Sequence, residues 1–283
     1  MIRIAVQSKG RLYEDTMMLL KEAGIKINQS KRTLLVQASN FPVEVLYLRD
    51  DDIPQTVASG VADLGVVGEN EFVEKNEAAE VVKRLGFSKC RLSLAIPKSV
   101  DYNGIEWFQN KKIATSYPHI LKDFMNEKGV DVDIHVIQGS VEIAPGIDLA
   151  DGIFDIVSSG STLISNNLKE VEIVMHSEAL LISNKKLNDE KKGVLEELLF
   201  RINAVMAADD KKYVLMNVPN DRINDITNVL PGIKSPTVMP LATEGWSSVH
   251  TVLQENRFWQ IIGQLKALGA EGILVLPIEK MIL

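Results

Sequence analysis

The sequence predicts an α/β protein made of two similar lobes and a smaller C-terminal domain. Three observations support this prediction. The chain has 283 residues, 46% of them apolar, which is enough for more than one hydrophobic core. Short β-branched runs alternate with helical patterns through the first two thirds of the chain, and the pattern changes after Ile182. A peptide, a disordered tail and a collagen-like chain are therefore excluded.

The elements of the first lobe follow one another closely. The opening run IRIAV predicts a strand, because Arg3 interrupts its apolar stretch and no signal-peptide cleavage site follows. The segment LYEDTMMLLKEAG predicts a helix. The runs TLLVQAS, VEVLYLR and ADLGVVG predict strands, and the helical stretch IPQTVASG precedes the last of them.

The second lobe repeats the alternation. RLSLAIP and KKIATS predict strands, Pro118 opens the helix PHILKDFMNEKG, and DIHVI and GIFDIV predict two more strands. Residues 57–68 and 147–160 also resemble each other, since each has an Ala-Asp pair, a strand and a glycine turn. Bilobal folds of the periplasmic-binding-protein kind carry such a unit in each lobe, although any βα unit gives a similar pattern.

The last third begins with one long helix, predicted from Asn188 to Asp210, whose apolar positions follow a 3.6-residue period. The order β-α-β-β-α-β follows it and predicts a ferredoxin-like (ACT-like) module. The predicted boundaries are 1–90 with about 176–205 for the first lobe, 91–175 for the second and 211–283 for the C-terminal domain.

Composition excludes several classes of function. The net charge of -7 disfavours binding to a nucleic-acid backbone, and no apolar run approaches the roughly 18 to 20 residues of a membrane span. We therefore expect no nucleic-acid partner, no membrane span and a cytoplasmic location. The single cysteine, Cys90, forbids an internal disulfide, and four scattered histidines do not form a metal-binding motif. A structural thiol is favoured over a nucleophile at Cys90.

The most informative stretch is GIFDIVSSGSTL, residues 152–163. A strand containing Asp155 runs into a turn of small residues and then a predicted helix. Its small residues leave backbone N–H groups open to a phosphate: Ser158, Ser159, Gly160, Ser161 and Thr162. Each hydrogen bond to such an anion contributes about 1.5 to 3 kcal/mol, and Asp155 would accept hydrogen bonds from sugar hydroxyls. An ordinary capped βα turn remains an alternative.

A set of motifs in this order spans nearly the whole chain: SKGRL, RDDDIP, ADLGVVGEN, CRLSLAIP, KKIATSYPH, GSVEIAP, DIVSSGSTL, SPTVMPLA and LKALGAEGILVLPIEK. The combination resembles ATP phosphoribosyltransferase of the long form, the family that performs the first step of histidine biosynthesis. One position departs from the family pattern, since Asp148 stands where the family usually has glycine.

The resemblance implies transfer of a 5-phosphoribosyl group from phosphoribosyl pyrophosphate to N1 of ATP, with Mg²⁺ bound to the substrate phosphates and pyrophosphate released. The two lobes would then be catalytic and the C-terminal domain regulatory, with histidine as feedback inhibitor. A homo-oligomer between dimer and hexamer is also implied.

The resemblance also assigns roles to individual residues. The loop from Ser158 to Thr162 would take the 5-phosphate and Asp155 the ribose hydroxyls. Glu142 and Tyr117 are further catalytic candidates, on the adenine side, although a helix-start Glu and a buried Tyr are common structural features. Pyrophosphate needs cations, and the candidates follow two strands: Lys9, Gly10 and Arg11 after the first, and Arg49 after another. By position alone, solvated surface charge is favoured for these cations, and the resemblance reverses that preference for Arg11.

Two further assignments concern the aspartate run and the C-terminal domain. The run from Asp50 to Asp52 favours capping of a helix over direct metal ligation, so no protein metal ligand is predicted. The predicted allosteric residues are Asn217, Ser235, Thr237, Gly269 and Ala270. A plain oligomerisation domain is the alternative.

Two rival functions use the same fold. A solute receptor would have two lobes and an anion loop but no chemistry, and a regulatory paralogue would have lost catalysis. An assay of pyrophosphate release from ATP and phosphoribosyl pyrophosphate distinguishes these from an enzyme.

Overall fold

The computed structural model describes residues 1–28, 33–230 and 236–283. It forms two compact units: Met1–Lys21 with Ile25–Glu196, and Glu22–Gly24 with Glu197–Leu283. The larger unit contains two β-sheets, which we call lobe I and lobe II, and the smaller contains a third sheet.

Lobe I is built mainly from the N-terminal part of the chain. Its elements are β1 (Ile2–Gln7), α1 (Arg11–Glu22), β2 (Leu35–Gln37), β3 (Val43–Leu48), α2 (Ile53–Ala58), β4 (Leu64–Gly68), α3 (Glu69–Lys75) and β5 (Ala79–Arg84). β3, β1 and β4 are parallel neighbours. The helix α2 packs on this sheet, where Ile53 and Val57 are fully buried against Ala5 and Val67.

Lobe II repeats this arrangement. Its elements are β6 (Cys90–Pro97), β7 (Lys112–Thr115), α4 (Pro118–Lys128), β8 (Asp133–Val136), β9 (Gly152–Val157), α5 (Ser161–Ser165) and β10 (Leu168–Ser177). Successive residues along the strands of the lobe II sheet point to opposite faces, and each face has its own hydrophobic core. Leu121 and Met125 of α4 cover the first face, and Leu163 of α5 covers the second.

Five strands of each sheet follow the same order, and lobe I has β2 as an additional edge strand. Lobe I is also completed by a strand that follows lobe II in the chain. After β10, the strand β11 (Ala179–Asn184) returns to lobe I and pairs with β4 and β5. Lobe I is ordered β2-β3-β1-β4-β11-β5 and lobe II β8-β7-β9-β6-β10. The predicted bilobal α/β class is confirmed, and the similarity of residues 57–68 and 147–160 has a structural counterpart in β4 and β9.

An aspartate makes the same contact at the start of β4 and of β9. Asp63 Oδ2 accepts the N–H of Arg3 at 2.9 Å, and Asp151 Oδ2 accepts the N–H of Lys112 at 2.9 Å. In return, each aspartate N–H donates to the carbonyl of the same partner residue. The Ala-Asp pairs of the sequence therefore join each of these strands to its parallel neighbour.

The smaller unit contains the C-terminal strands and shares a helix with the larger. α6 (Asp189–Ala208) runs through the division between the units. It is followed by β12 (Lys211–Pro219), α7 (Ile223–Val229), β13 (Thr237–Pro240), β14 (Trp246–Gln254), α8 (Glu255–Ala267) and β15 (Glu271–Pro277). The sheet order β13-β14-β12-β15 and the order of elements confirm the ferredoxin-like prediction, and α7 and α8 cover one face of the sheet.

The sequence does not predict α3, β5 or β10. The two strands are edge strands of their sheets, and edge strands carry charged residues that break up an apolar run, as in AEVVKR and LKEVEIVMHS. α3 has only seven residues, three of them glutamate. Among the helices described, none is both long and apolar enough to span a membrane.

The two aspartates differ in burial, which allows a test of their contribution to stability. Asp63 is 8% exposed and also pairs with Lys191 Nζ at 2.7 Å, whereas Asp151 is exposed. We expect Asp63→Ala to lower the free energy of unfolding by about 2 to 3 kcal/mol and Asp151→Ala by about 1 kcal/mol. Chemical denaturation of both variants measures the difference, and equal losses would contradict the assigned burial.

Candidate functional site

The carboxyl ends of parallel strands gather the sequence-predicted residues at one edge of each lobe. In lobe I, residues 9–11 follow β1 and Arg49 follows β3. In lobe II, Tyr117 follows β7, Glu142 lies beyond β8, and residues 158–162 follow β9. Open α/β sheets bind ligands outside the carboxyl ends of their strands, so both edges are candidate binding surfaces.

The small-residue loop from Ser158 to Thr162 is open to solvent. Gly160 has φ of 80°, a left-handed conformation that favours glycine, and it is the N-cap of α5. Ser159 Oγ accepts the N–H of Ser161 at 3.4 Å and contacts its hydroxyl at 2.9 Å. α5 has five residues, so open N–H groups and hydroxyls, and not a long helix dipole, are what the loop offers an anion.

Asp155 lies within β9, half-buried beside the loop. Its pKa is raised from 3.8 to about 6. Burial is the main cause, the N–H of Ile156, donated to Oδ1 at 2.8 Å, lowers the pKa, and the negative charge of Glu142 raises it. The structure therefore brings two sequence-predicted carboxyl groups close enough to repel each other.

Glu142 is half-buried in the 3-10 turn Val141–Ile147, which follows Ser140 in a left-handed conformation (φ 52°). The turn ends at Asp148, whose φ of 57° lies in the region that favours glycine. Aspartate tolerates this left-handed conformation better than most residues. Asp148 can therefore adopt the backbone conformation that a glycine at this position would allow.

Tyr117 is 6% exposed, and its ring belongs to the hydrophobic core of lobe II. Its hydroxyl accepts a hydrogen bond from Asn70 Nδ2 at 3.1 Å and bonds to Glu71. Burial, together with the negative charges of Glu71 and Asp155, raises its pKa far above the usual value. Burial of the ring is the structural alternative given above for Tyr117, and its catalytic role stays a prediction.

The cationic candidates of lobe I are exposed. The side chains of Arg11 and Arg49 are 69% and 75% exposed, and they form ion pairs with nearby aspartates, Asp15 at 3.9 Å and Asp51 at 3.1 Å. Lys9 is exposed and Gly10 has φ of 93°, which forms the turn between β1 and α1. These side chains can reorient towards an anion without breaking buried contacts.

The aspartate run does not cap a helix with its side chains. Asp50–Asp52 is a 3-10 turn, and neither it nor α2 has a side-chain capping hydrogen bond, which corrects the capping interpretation. In the part of the chain that the structure describes, no three His, Cys, Asp or Glu side chains group as ligands for a metal ion. Burial raises the pKa of the Cys90 thiol, as suits a structural thiol.

The structure adds two residues that the sequence reasoning missed, Asn70 and Glu71 at the start of α3. Asn70 is buried, and burial and the negative charge of Asp50 raise the pKa of Glu71, while its bond to Tyr117 lowers it. The sequence signal that could have indicated them is that both are polar and lie just after the predicted strand ADLGVVG.

The predicted allosteric residues are divided between the two edges of the C-terminal sheet. Thr237 begins β13 at one edge, while Gly269 and Ala270 precede β15 at the other, next to Asn217 on β12. Three strand spacings of about 4.8 Å separate the edges, roughly 14 Å. Ala270 lines a cleft of about 510 Å³ beside α8. Ser235 lies outside the described residues.

Comparisons with known proteins agree over the full chain. Residues 49–204 match the ATP phosphoribosyltransferase family (HisG), and residues 208–280 match the HisG C-terminal domain. The chain is 77% identical to an ATP phosphoribosyltransferase of Phocaeicola vulgatus and 73% identical to one of Bacteroides thetaiotaomicron, with 100% of both chains covered. A solved chain of the ATP phosphoribosyl transferase (HisG:HisZ) complex from Thermotoga maritima is 28% identical, with a TM-score of 0.61, and the match covers 71% of this chain and 98% of that one.

The raised pKa of Asp155 gives a pH-dependent prediction. Because the folded state favours the protonated carboxyl, this group's contribution to stability is complete below about pH 3.9 and is lost as the pH rises through about 6. We expect the melting temperature of Asp155→Asn, measured relative to that of wild type by thermal unfolding, to be higher at pH 8 than at pH 4. Carboxyl-carbon NMR should show Asp155 titrating near 6, and lower in Glu142→Gln. Titration near 4 in both would contradict the assigned environment.

Proposed function

The chain belongs to the ATP phosphoribosyltransferase family in its long form and catalyses the first step of histidine biosynthesis, and from this premise we propose how its residues divide that reaction. The reaction breaks the bond between ribose C1 and the pyrophosphate oxygen and forms a bond from C1 to N1 of ATP. Positive charge develops on the sugar as pyrophosphate leaves. Groups that hold both phosphate ends and supply negative charge beside the ribose therefore stabilise the transition state.

The observation that carries the proposal is the open loop from Ser158 to Thr162 beside Asp155, at the carboxyl edge of lobe II. Its N–H groups and hydroxyls bind the 5-phosphate, since small side chains leave them uncovered. Asp155 accepts hydrogen bonds from the ribose hydroxyls and places negative charge close to the developing cation. Its pKa of about 6 leaves most of the carboxyl ionised at pH 7 and above.

Lobe I supplies the cations. Lys9 and Arg11 in the turn of Gly10, with Arg49 after β3, bind pyrophosphate, and their exposure allows each side chain to turn towards it. ATP occupies the adjoining surface, where Glu142 accepts a hydrogen bond from the adenine amino group as N1 becomes bonded. Tyr117 acts through its hydroxyl contacts with Asn70 and Glu71, because its ring is buried.

Mg²⁺ fits this site as a companion of the substrate phosphates. Burial raises the pKa of Asp155 most and the like charge of Glu142 adds to the rise, so a cation beside the two carboxyl groups would offset their repulsion. Mg²⁺ usually keeps several waters and takes one or two carboxylates together with phosphate oxygens. When bound, it supplies charge neutralisation for the departing pyrophosphate.

We also propose that histidine inhibits the enzyme by binding to the C-terminal domain. The residues assigned to histidine lie on opposite edges of one sheet, so the site forms where copies of the domain meet, which agrees with the expected homo-oligomer between dimer and hexamer. Coupling of about 1 to 3 kcal/mol to the lobes suffices for feedback, and α6 is the segment that both units share. The cytoplasmic location stays a prediction from the sequence.

The phosphoribosyl-binding role predicts that Asp155→Asn and Thr162→Val each lower kcat by about 10² or more, because each removes one transition-state contact. Steady-state pyrophosphate release measures this. Ser165→Ala is a matched control, since Ser165 Oγ bonds to the carbonyl of Ser161 and lies outside the loop. A folded Asp155→Asn enzyme with wild-type kcat would exclude the sugar-binding role.

The pyrophosphate-binding role predicts that Arg11→Ala raises the KM for phosphoribosyl pyrophosphate about tenfold and leaves the KM for ATP nearly unchanged, as expected for a lost charge-assisted contact. Kinetics with each substrate varied separate the two. Lys21→Ala, at the far end of the same helix, should match wild type. Equal changes for both substrates would remove Arg11 from the pyrophosphate site.

The regulatory role predicts that a chain ending after Asp210 keeps measurable catalysis and loses inhibition by histidine, provided that it stays in solution. Thr237→Val in the full-length chain should raise the half-inhibiting histidine concentration about tenfold at unchanged kcat, because it deletes one hydroxyl contact. Inhibition of the truncated enzyme as strong as that of the intact one would contradict the assignment, as would an uninhibited wild type at millimolar histidine.

A further inference from the structure

Helix α3 of lobe I and helix α4 of lobe II are joined by hydrogen bonds between buried groups. Asn70 and Glu74 belong to α3, Tyr117 precedes α4, and Ser177 ends β10. Each of these four residues is no more than 6% exposed. We call this set the interlobe contact. Burying polar groups is unfavourable unless they are paired, so the contact holds only in a defined arrangement of the lobes.

Glu74 caps a helix that belongs to the other lobe. Its Oε1 accepts the N–H of His119 at 3.0 Å and its Oε2 accepts the N–H of Ile120 at 3.0 Å. These are the first free N–H groups of α4, since Pro118 has none, and the N-cap residue Tyr117 makes no side-chain capping bond. Within its own helix Glu74 is in the last turn, where negative charge is unfavourable. Its placement therefore serves α4.

Asn70 makes the second half of the contact. Its Nδ2 donates to the Tyr117 hydroxyl at 3.1 Å, its N–H donates to Ser177 Oγ at 3.1 Å, and Ser177 Oγ donates to Asn70 Oδ1 at 2.9 Å. The side chain folds back over Gly68, where an added Cβ would lie 2.5 Å from Oδ1. The order glycine, any residue, asparagine is thus required for Asn70 to reach lobe II.

We propose that Glu74 and Asn70 are positioning residues that set the spacing between the two anion-binding edges, and so determine affinity for a ligand with phosphates at both ends. This inference rests on the proposed function, in which lobe II holds the 5-phosphate and lobe I the pyrophosphate of one substrate molecule. A rigid spacing aligns both groups before binding. A ligand with one phosphate needs only lobe II and does not sense the spacing.

The test compares a two-ended and a one-ended ligand by calorimetry on the full-length protein. We expect Glu74→Gln to bind phosphoribosyl pyrophosphate with Mg²⁺ about tenfold more weakly, because the amide offers one acceptor oxygen in place of two. Binding of ribose 5-phosphate should stay within twofold of wild type. Lys122→Ala is the matched control, since it removes an exposed side chain of the same helix and leaves both N–H donors, and it should bind both ligands as wild type does.

A second variant keeps the proposal testable if Glu74→Gln does not fold. Tyr117→Phe keeps the buried ring and deletes the hydroxyl that Asn70 reaches, and it should show the same selective loss for the two-ended ligand. Equal weakening of both ligands, or no weakening of either, in the folded variants would overturn the proposal. Thr162→Val tests the proposed function separately, because it should weaken both ligands. If it weakens neither, the phosphate-loop assignment fails, and the Glu74→Gln comparison still decides the interlobe role.

Discussion

The double crossing of the chain between the two lobes is the constraint on which the catalytic part of the structure depends. A single residue, Glu178, separates β10, which pairs in lobe II, from β11, which pairs in lobe I. The other crossing, residues 85–89, is hydrogen-bonded to it, since Leu85 N–H donates to the Ala179 carbonyl and Ala179 N–H donates to the Phe87 carbonyl. The two lobes are therefore joined by two crossing segments that are hydrogen-bonded to each other, and their carboxyl edges cannot be assigned to independent domains.

This constraint explains why the candidate site is shared between lobes although each lobe repeats the same topology. Duplication gives each sheet an equivalent edge, but the residues at the two edges differ in charge. Lobe I presents exposed arginines and a lysine, and lobe II presents an open small-residue loop and a carboxyl pair. A substrate with a phosphate at each end fits such a division. The motifs that distinguish the lobes are therefore those that carry chemistry.

Much of this could be predicted from the sequence, because local patterns determine it. The apolar runs of β1, β4, β6 and β9 are central strands, and Pro118 marks the start of α4 as expected. The loop after β9 was predictable for the same reason. The interlobe contact was not, because Asn70 and Glu74 act on groups 45 or more residues away, and nothing in their local sequence shows the partner. The helix after this loop was predicted but its short length was not, since helix propensity does not show that α5 ends at Asn166.

Under the proposed function, the placement of the predicted allosteric residues, with Thr237 at one edge of the C-terminal sheet and Gly269 and Ala270 at the other, has a consequence for dilute solutions. A free amino acid is shorter than the roughly 14 Å between the edges, so it contacts both sets only where two chains meet. Assembly and effector binding are then thermodynamically linked, because a ligand that needs the interface favours the state that contains it. The sensitivity of such an enzyme to its end product rises with its own concentration, and the effector in turn draws separate chains together.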